Sequence, residues 1–317
     1  MAEKHLDGKV AIVTGGAGGM GSWICKIFAA NGAKVIVADT GFDVEGRMGM
    51  DPTKVNAVVD EIKANGGEAM GMTGDISEMD VAENLVKTAI DTYGGLDILV
   101  CAHGILRERM IFNMEEDDWD AVMKSHLKGV FAPTKFASIY WRQERTRGGR
   151  IIYFTSGAGI NGEAGQPNYS AAHQAKIGLS LSNAQALARY GVTSNVIAPG
   201  AATRMTDRNR GVDRDAPPPS ASAAGTARDP MNAVPVIVML ASDRGANITG
   251  RAFGVGGHRI TVYREPTWER TVYTQQPLWN IDSLFEVMKN NFRPEEFAPP
   301  GGWRREPAPA PSATPGR

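Results

Sequence analysis

The sequence predicts a doubly wound α/β domain, a single parallel sheet flanked by helices on both faces. Three observations carry that expectation. Short Val/Ile-rich runs alternate with longer amphipathic stretches over the first 260 residues. The runs show little polar alternation, as parallel strands covered on both faces should. A glycine-rich turn joins the first run to the first amphipathic stretch. Strand–helix alternation of this kind gives right-handed crossovers and an open parallel sheet.

The elements follow in order. Val10–Thr14, Lys34–Ala38, Ala69–Thr73, Leu96–Cys101, Arg150–Thr155 and Thr193–Ala198 read as buried strands. Met20–Ala30, Val55–Asn65, Met79–Tyr93 and Trp119–Tyr140 carry helical periodicity. Asn31-Gly32 and Asn65-Gly66-Gly67 are helix stops, because both residue types accept the left-handed conformation that ends a helix. Three segments break the pattern. Gly41–Pro52 is a glycine-rich insert after the second strand. Arg208–Pro230, with three consecutive prolines at 217–219, reads as a long mobile loop, part of a substrate loop spanning about 205–230. Residues 263–317 form an extension beyond the 1–262 domain. Its aromatics Trp268, Tyr273, Trp279 and Phe285 are expected to pack in core or interface, as against a neighbouring subunit, rather than close the pocket, and its last 17 residues, GGWRREPAPAPSATPGR, to be disordered.

The chain has 317 residues, 42 % of them hydrophobic, enough for a sizeable core. The net charge of -1 argues against a general nucleic-acid surface. No run reaches the roughly 18 apolar residues of a membrane span. The N-terminus lacks the apolar core of a signal peptide. Cys25 and Cys101 have no metal-ligand spacing and imply no disulfide framework, so a reducing, cytoplasmic setting is expected.

Thr14-Gly15-Gly16-Ala17-Gly18-Gly19-Met20-Gly21 follows a strand and opens a helix. Glycines let the backbone turn sharply and approach a pyrophosphate, whose charge the helix N-terminus favours. Asp39 ends the second strand, 18 residues after Gly21. A carboxylate there accepts bonds from ribose hydroxyls and repels a 2′-phosphate, which favours NAD over NADP.

The strand at Arg150–Thr155 delivers Ser156 to the carboxyl edge of the sheet, where ligands bind in this architecture. Tyr169 follows 13 residues later and opens a helical run to Tyr190. A tyrosine hydroxyl can exchange a proton with a carbonyl or alcohol oxygen while hydride moves. Its ordinary pKa of about 10 calls for a nearby cation. The useful helical position, four residues on, holds His173. Histidine is mostly neutral at pH 7 and supplies less charge. Lys176 lies on the same face, roughly 10 Å along the axis from Tyr169 at about 1.5 Å per residue, and reads as a solvated or interface lysine.

Together these residues resemble the short-chain dehydrogenase/reductase family over roughly residues 6–260, and imply its Rossmann-type fold. The resemblance rests on TGGAGGMG, Asp39, Asp75-Ile76, Cys101-Ala102-His103-Gly104, Ser156, Tyr169 and Ala198-Pro199-Gly200. VVDEIKANGGEA, CAHGILRERMIFNM, HLKGVF and GEAGQPNYSAA are similar to the dehydrogenase domain of peroxisomal multifunctional enzyme type 2. They are also similar to actinobacterial hydroxysteroid and hydroxyacyl-CoA dehydrogenases. The resemblance implies that Gly15, Gly19 and Gly21 shape the pyrophosphate site, with Met20 under the cofactor. It implies that Asp39 holds the adenosine ribose and that Asp75 and Ile76 flank the adenine. Ala102 and Gly104 line the cofactor cleft, Pro199 and Gly200 lead into a loop, and Thr203 reaches the carboxamide. Ser156 would polarise the substrate oxygen, Tyr169 would be the acid/base, and His173 stands where the family has lysine. That lysine does two jobs, lowering the tyrosine pKa and binding the nicotinamide ribose. His126 replaces the asparagine that bends the central helix. A homotetramer or homodimer is implied.

Cys101, His103, His126 and His173 have no metal-ligand spacing, so the histidines are read as polar lining and no metal is expected. The resulting expectation is an NAD-dependent oxidoreductase acting on a bulky secondary alcohol or ketone, such as a hydroxysteroid or 3-hydroxyacyl thioester. Arg204, Arg208 and Arg210 read as solvated loop charge beside that substrate. The alternative is a fold reused for a dehydration, cyclisation or isomerisation, because His173 replaces the lysine. A non-catalytic NAD sensor is opposed by the presence of Ser156 and Tyr169.

Overall fold

The computed structural model describes residues 3–47, 49–144, 148–207, 218–264, 271–272 and 280–291. Strand β1 (Val10–Thr14) is followed by α1 (Gly19–Ala30), β2 (Lys34–Asp39), α2 (Pro52–Ala64), β3 (Glu68–Thr73), α3 (Met79–Tyr93) and β4 (Ile98–Cys101). Then come α4 (Glu116–Met123), α5 (Gly129–Glu144), β5 (Gly149–Phe154), α6 (Gly157–Asn161), α7 (Pro167–Ala186) and β6 (Val192–Pro199). Helix α8 (Val234–Ala241), strands β7 (Ala252–Gly256) and β8 (Arg259–Tyr263), and α9 (Ile281–Asn291) complete the order. Contacts divide the chain into Met1–Glu265, which holds the sheet and α1–α8, and Pro266–Arg317, which holds α9.

The eight strands form one sheet in the order β3-β2-β1-β4-β5-β6-β7-β8. All neighbours are parallel except β7 and β8. The direction of winding reverses between β1 and β4, whose last residues Thr14 and Cys101 are register partners. A crevice opens there, because the loops leaving the two strands go to opposite faces.

Strands β1, β2, β4, β5 and β6 are buried on both sides, which is why their sequences show no polar alternation. Ala11, Val13, Val35, Val37 and Phe154 meet Ile24 and Phe28 of α1 and Ile237 of α8. Val10, Ile12, Ile36, Leu99 and Tyr153 meet Leu85 of α3 and Trp141 of α5 in a second cluster. Trp141 Nε1–H donates to Leu96 O at 2.7 Å, so this large ring leaves no unpaired donor in the core. The helix stops behave as expected: Asn31 and Asn65 cap α1 and α2, and Gly32 and Gly66 take φ of 92° and 78°.

Two expectations need correction. The run Trp119–Tyr140 is not one helix. A π-helical turn at Lys124–Lys128 separates α4 from α5, and Pro133, with no N–H to donate, follows in the first turns of α5. The sheet also extends beyond the expected six strands. Strand β7 adds a seventh parallel member, and β8 returns antiparallel across a turn at Gly257, φ 56°. Its Gly-rich sequence, AFGVG, hid β7 from a search for Val/Ile runs. In the described part of the 205–230 loop a 3₁₀ turn forms at Pro219–Ser222, a second at Pro230–Ala233 follows it, and Asp207 Oδ1 accepts from Ser220 N at 2.9 Å. Arg208, Arg210, Trp268, Tyr273, Trp279 and the last 17 residues lie outside the described residues. Phe285 on α9 is 69 % exposed on the single chain.

Candidate active site

Strand β1 ends at Thr14, and the chain turns at Gly15 with φ 70°. A Cβ there would lie 2.6 Å from the backbone nitrogen of His103, and one at Gly21 would lie 2.0 Å from Gly15 O. Both positions therefore require glycine for close backbone packing, and the turn stays open on its outer side. Helix α1 starts from Gly18, which supplies no side-chain cap. Its first N–H groups are left for an anion, a fitting cradle for a pyrophosphate. Asp39, at the end of β2, accepts from Ala17 N at 3.0 Å and Gly41 N at 2.8 Å, so its carboxylate is fixed beside the turn.

The opposite end of the crevice is built by β5, α6 and α7. Ser156 caps α6, accepting from Gly159 N at 3.2 Å, while lining the cavity. Tyr169 sits in the first turn of α7, which Pro167 opens. Its hydroxyl donates to the Met205 thioether at 3.5 Å. Burial pushes its phenol well above the usual tyrosine range, and a hydrogen bond with Ser156 pulls the other way. An ordinary helix cap and a core tyrosine thus do double service, facing one cavity of about 810 Å³.

His173 lies one turn beyond Tyr169, with ring centroids 4.0 Å apart and planes tilted by 36°. It is 3 % exposed, and among the described residues neither ring nitrogen has a hydrogen-bond partner. Lys176 is not a solvated or interface lysine but is wholly buried. The face it shares with Ala172, His173, Ser180 and Ala184 turns inward rather than to water. Its ammonium donates to Phe154 O at 2.8 Å and meets His126 Nδ1 at 3.1 Å. His126, on the π turn, contacts Ile105 O through Nε2 at 2.7 Å. His103 pairs with Thr14 Oγ1 at 2.6 Å and Ser125 O at 3.1 Å. Burial, reinforced by the Lys176 charge, pulls His103 down to about 3 and holds His126 and His173 well below the usual histidine range. Among the described residues no three His, Cys, Asp or Glu side chains gather as a metal site.

The structure brings nearly all the singled-out residues to one cavity. Gly15, Gly19, Met20, Gly21, Asp39, Asp75, Ile76, Ala102 and Gly104 line it with Ser156, Tyr169, His173, Pro199 and Thr203. Gly200 does not; it lies against Gly256, and its N–H donates to Val255 O at 2.7 Å. Arg204 is exposed and on the lining. Sequence reasoning missed Met205 and the part played by the Gly41–Pro52 insert. Val44 O accepts from Leu106 N at 2.8 Å and Glu45 O from Arg107 Nε at 3.0 Å, so the insert forms a wall of the cavity. The spacing 169, 173, 176 was the available signal for Lys176, since it marks one helical face.

Comparison with known proteins agrees with this geometry. A hydroxyacyl-CoA dehydrogenase of Mycobacterium tuberculosis is 37 % identical over 90 % of this chain and 89 % of its own length. Peroxisomal multifunctional enzyme type 2 of Drosophila melanogaster is 42 % identical over 64 % of this chain, a match spanning 33 % of that longer protein. The crystal structure of a short chain dehydrogenase from Mycobacterium avium superposes with a TM-score of 0.77 at 38 % identity, covering 90 % of this chain and 95 % of that one. The family model described as short chain dehydrogenase matches residues 9–215, and the chain belongs to that family of oxidoreductases.

Proposed function

We propose that the protein transfers hydride between NAD and a secondary alcohol or ketone, with Tyr169 as the acid/base, Ser156 polarising the substrate oxygen and His173 contacting the bound ligands. The observation that carries this reading is the shared cavity: the glycine cradle, Asp39, Ser156 and Tyr169 line the same space. The dinucleotide fits the residues present. The uncapped start of α1 suits its pyrophosphate, and Asp39 suits a ribose bearing free hydroxyls rather than a 2′-phosphate. Ile76, buried beside Asp75, lines the cavity and would flank the adenine, while Ala102, Gly104, Pro199 and Thr203 line it and would face the nicotinamide. Bound nicotinamide would give or take the hydride. Ser156 holds the substrate oxygen and Tyr169 moves the proton.

The substrate class we favour is a 3-hydroxyacyl thioester or a hydroxysteroid. The similarity to a hydroxyacyl-CoA dehydrogenase supports the first of these. Assembly as a homotetramer or homodimer is supported by Phe131 and Ile139, apolar and exposed on α5. The unpartnered, neutral His173 favours a second reading, in which the protein binds NAD but runs a dehydration, cyclisation or isomerisation. The test follows reduced-nicotinamide absorbance with NAD and a panel of 3-hydroxyacyl-CoA thioesters and hydroxysteroids, beside His173→Lys. Reduction by the native chain supports the dehydrogenase. Tight NAD binding without reduction, with activity gained in His173→Lys, supports the second reading.

A further inference from the structure

The family's lysine is absent at position 173, yet a lysine lies one turn further along α7, with no solvent contact. An ammonium has protons and no lone pair, so Lys176 donates both to Phe154 O and to His126 Nδ1. Nε2 of His126 lies 2.7 Å from Ile105 O and 3.2 Å from Ile105 N; with Nδ1 accepting from the ammonium, Nε2 carries the ring proton and donates to the nearer carbonyl. The far side of the His126 ring meets the two residues facing the cavity. Its centroid is 5.0 Å from Tyr169, edge-on, and 4.5 Å from His173. A charge buried this deeply, with two specific acceptors, has no role in solubility and is costly to keep unless it serves something.

We propose that Lys176 is a positioning residue of this site, a buried cation that stands in for the one missing at position 173 and acts on the Tyr169–His173 pair through His126. The inference rests on the reading of this cavity as the reaction site. His173 offers ligands a neutral imidazole, able to donate at one nitrogen and accept at the other, and Lys176 keeps it neutral from beneath. The ionisable groups around Lys176 come from several elements. They are Cys101 on β4, His103 after it, His126 on the π turn, and His173 on α7. Asp75 acts on His103 in the opposite sense to Lys176. Burial pulls Lys176 itself down to about 7. Its charge is therefore present in mild acid and lost as pH rises through neutrality.

The test is imidazole ¹⁵N NMR of the full chain without cofactor or substrate, from pH 5 to 9, for the native protein, Lys176→Met and Lys176→Arg. At pH 6 the native spectrum should show His126 protonated on Nε2 alone and His173 neutral. In Lys176→Met the titration midpoint of His126 or His173 should rise by about one pH unit or more, and Lys176→Arg should keep both near native. A native His126 protonated on Nδ1 at pH 6 overturns the proposal. So does an unchanged titration in folded Lys176→Met. If Lys176→Met does not fold, the native tautomer decides. Nothing is bound during the measurement, so the functional reading fails separately. These signals in a protein that never reduces NAD would leave the Lys176 assignment standing and remove the redox one.

Discussion

Lys176→Met should change the pH dependence of stability by an amount the structure sets. Burial lowers this ammonium from 10.5 to about 7. Below pH 7 the folded and unfolded chains both carry the proton, and the folded chain bears the whole penalty of holding it in the core. As pH rises from 7 toward 10.5 the folded chain has released the proton while the unfolded chain still binds it, and the penalty fades. At about 1.36 kcal/mol per unit the penalty is roughly 4 kcal/mol at pH 7 and roughly 2 kcal/mol at pH 9. Methionine carries no proton and escapes it. The substitution also leaves His126 Nδ1 and Phe154 O without a donor, which costs about 1–3 kcal/mol each, independent of pH. The difference in stability between variant and native should therefore move in favour of the native chain by roughly 2 kcal/mol between pH 7 and pH 9. Urea unfolding followed by far-UV circular dichroism, at fixed protein concentration and pH 6, 7, 8 and 9, measures it. A difference that does not vary with pH would refute the reasoning, because it would mean that Lys176 titrates as it does in water.

The remaining predictions address the cofactor cradle and the serine. Gly21→Ala should destabilise the fold by about 1–3 kcal/mol, because its Cβ would fall 2.0 Å from Gly15 O, a backbone atom that cannot step aside. NAD affinity should fall by about tenfold or more, read by thermal melts and calorimetry. Asp39→Ala removes the acceptor of Ala17 N and Gly41 N. It should narrow any preference for NAD over NADP by about tenfold, measured by titrating both. Ser156→Ala removes one cap bond on a short helix, about 1 kcal/mol, and should lower turnover by about a hundredfold. A turnover loss no larger than the stability loss explains would reduce Ser156 to a cap.

Most of what positions the site was legible in the sequence, because local chemistry dictates it. A glycine turn between a strand and a helix reads directly, and so does an aspartate at a strand end. The Asn-Gly stops read for the same reason. What escaped depends on tertiary context. The π turn at Lys124–Lys128 adds a residue without changing the apolar period enough to show. Strand β7 is Gly-rich and gains its place only by pairing with β6. Lys176 was misjudged because a charged side chain on a helix is usually solvated. Its face is covered only because α7 lies across β6 and the π turn, which no local window contains.

In the proposed reaction Tyr169 moves the proton during an NAD-dependent oxidation within this cavity. The direct measurement compares native protein with Tyr169→Phe, using NAD and 3-hydroxyacyl-CoA, with NAD affinity determined separately by calorimetry. The native chain should form reduced nicotinamide. Tyr169→Phe should lose about 10²–10⁴ in kcat with its NAD affinity nearly unchanged. A phenylalanine variant that turns over like the native protein would contradict that role for Tyr169.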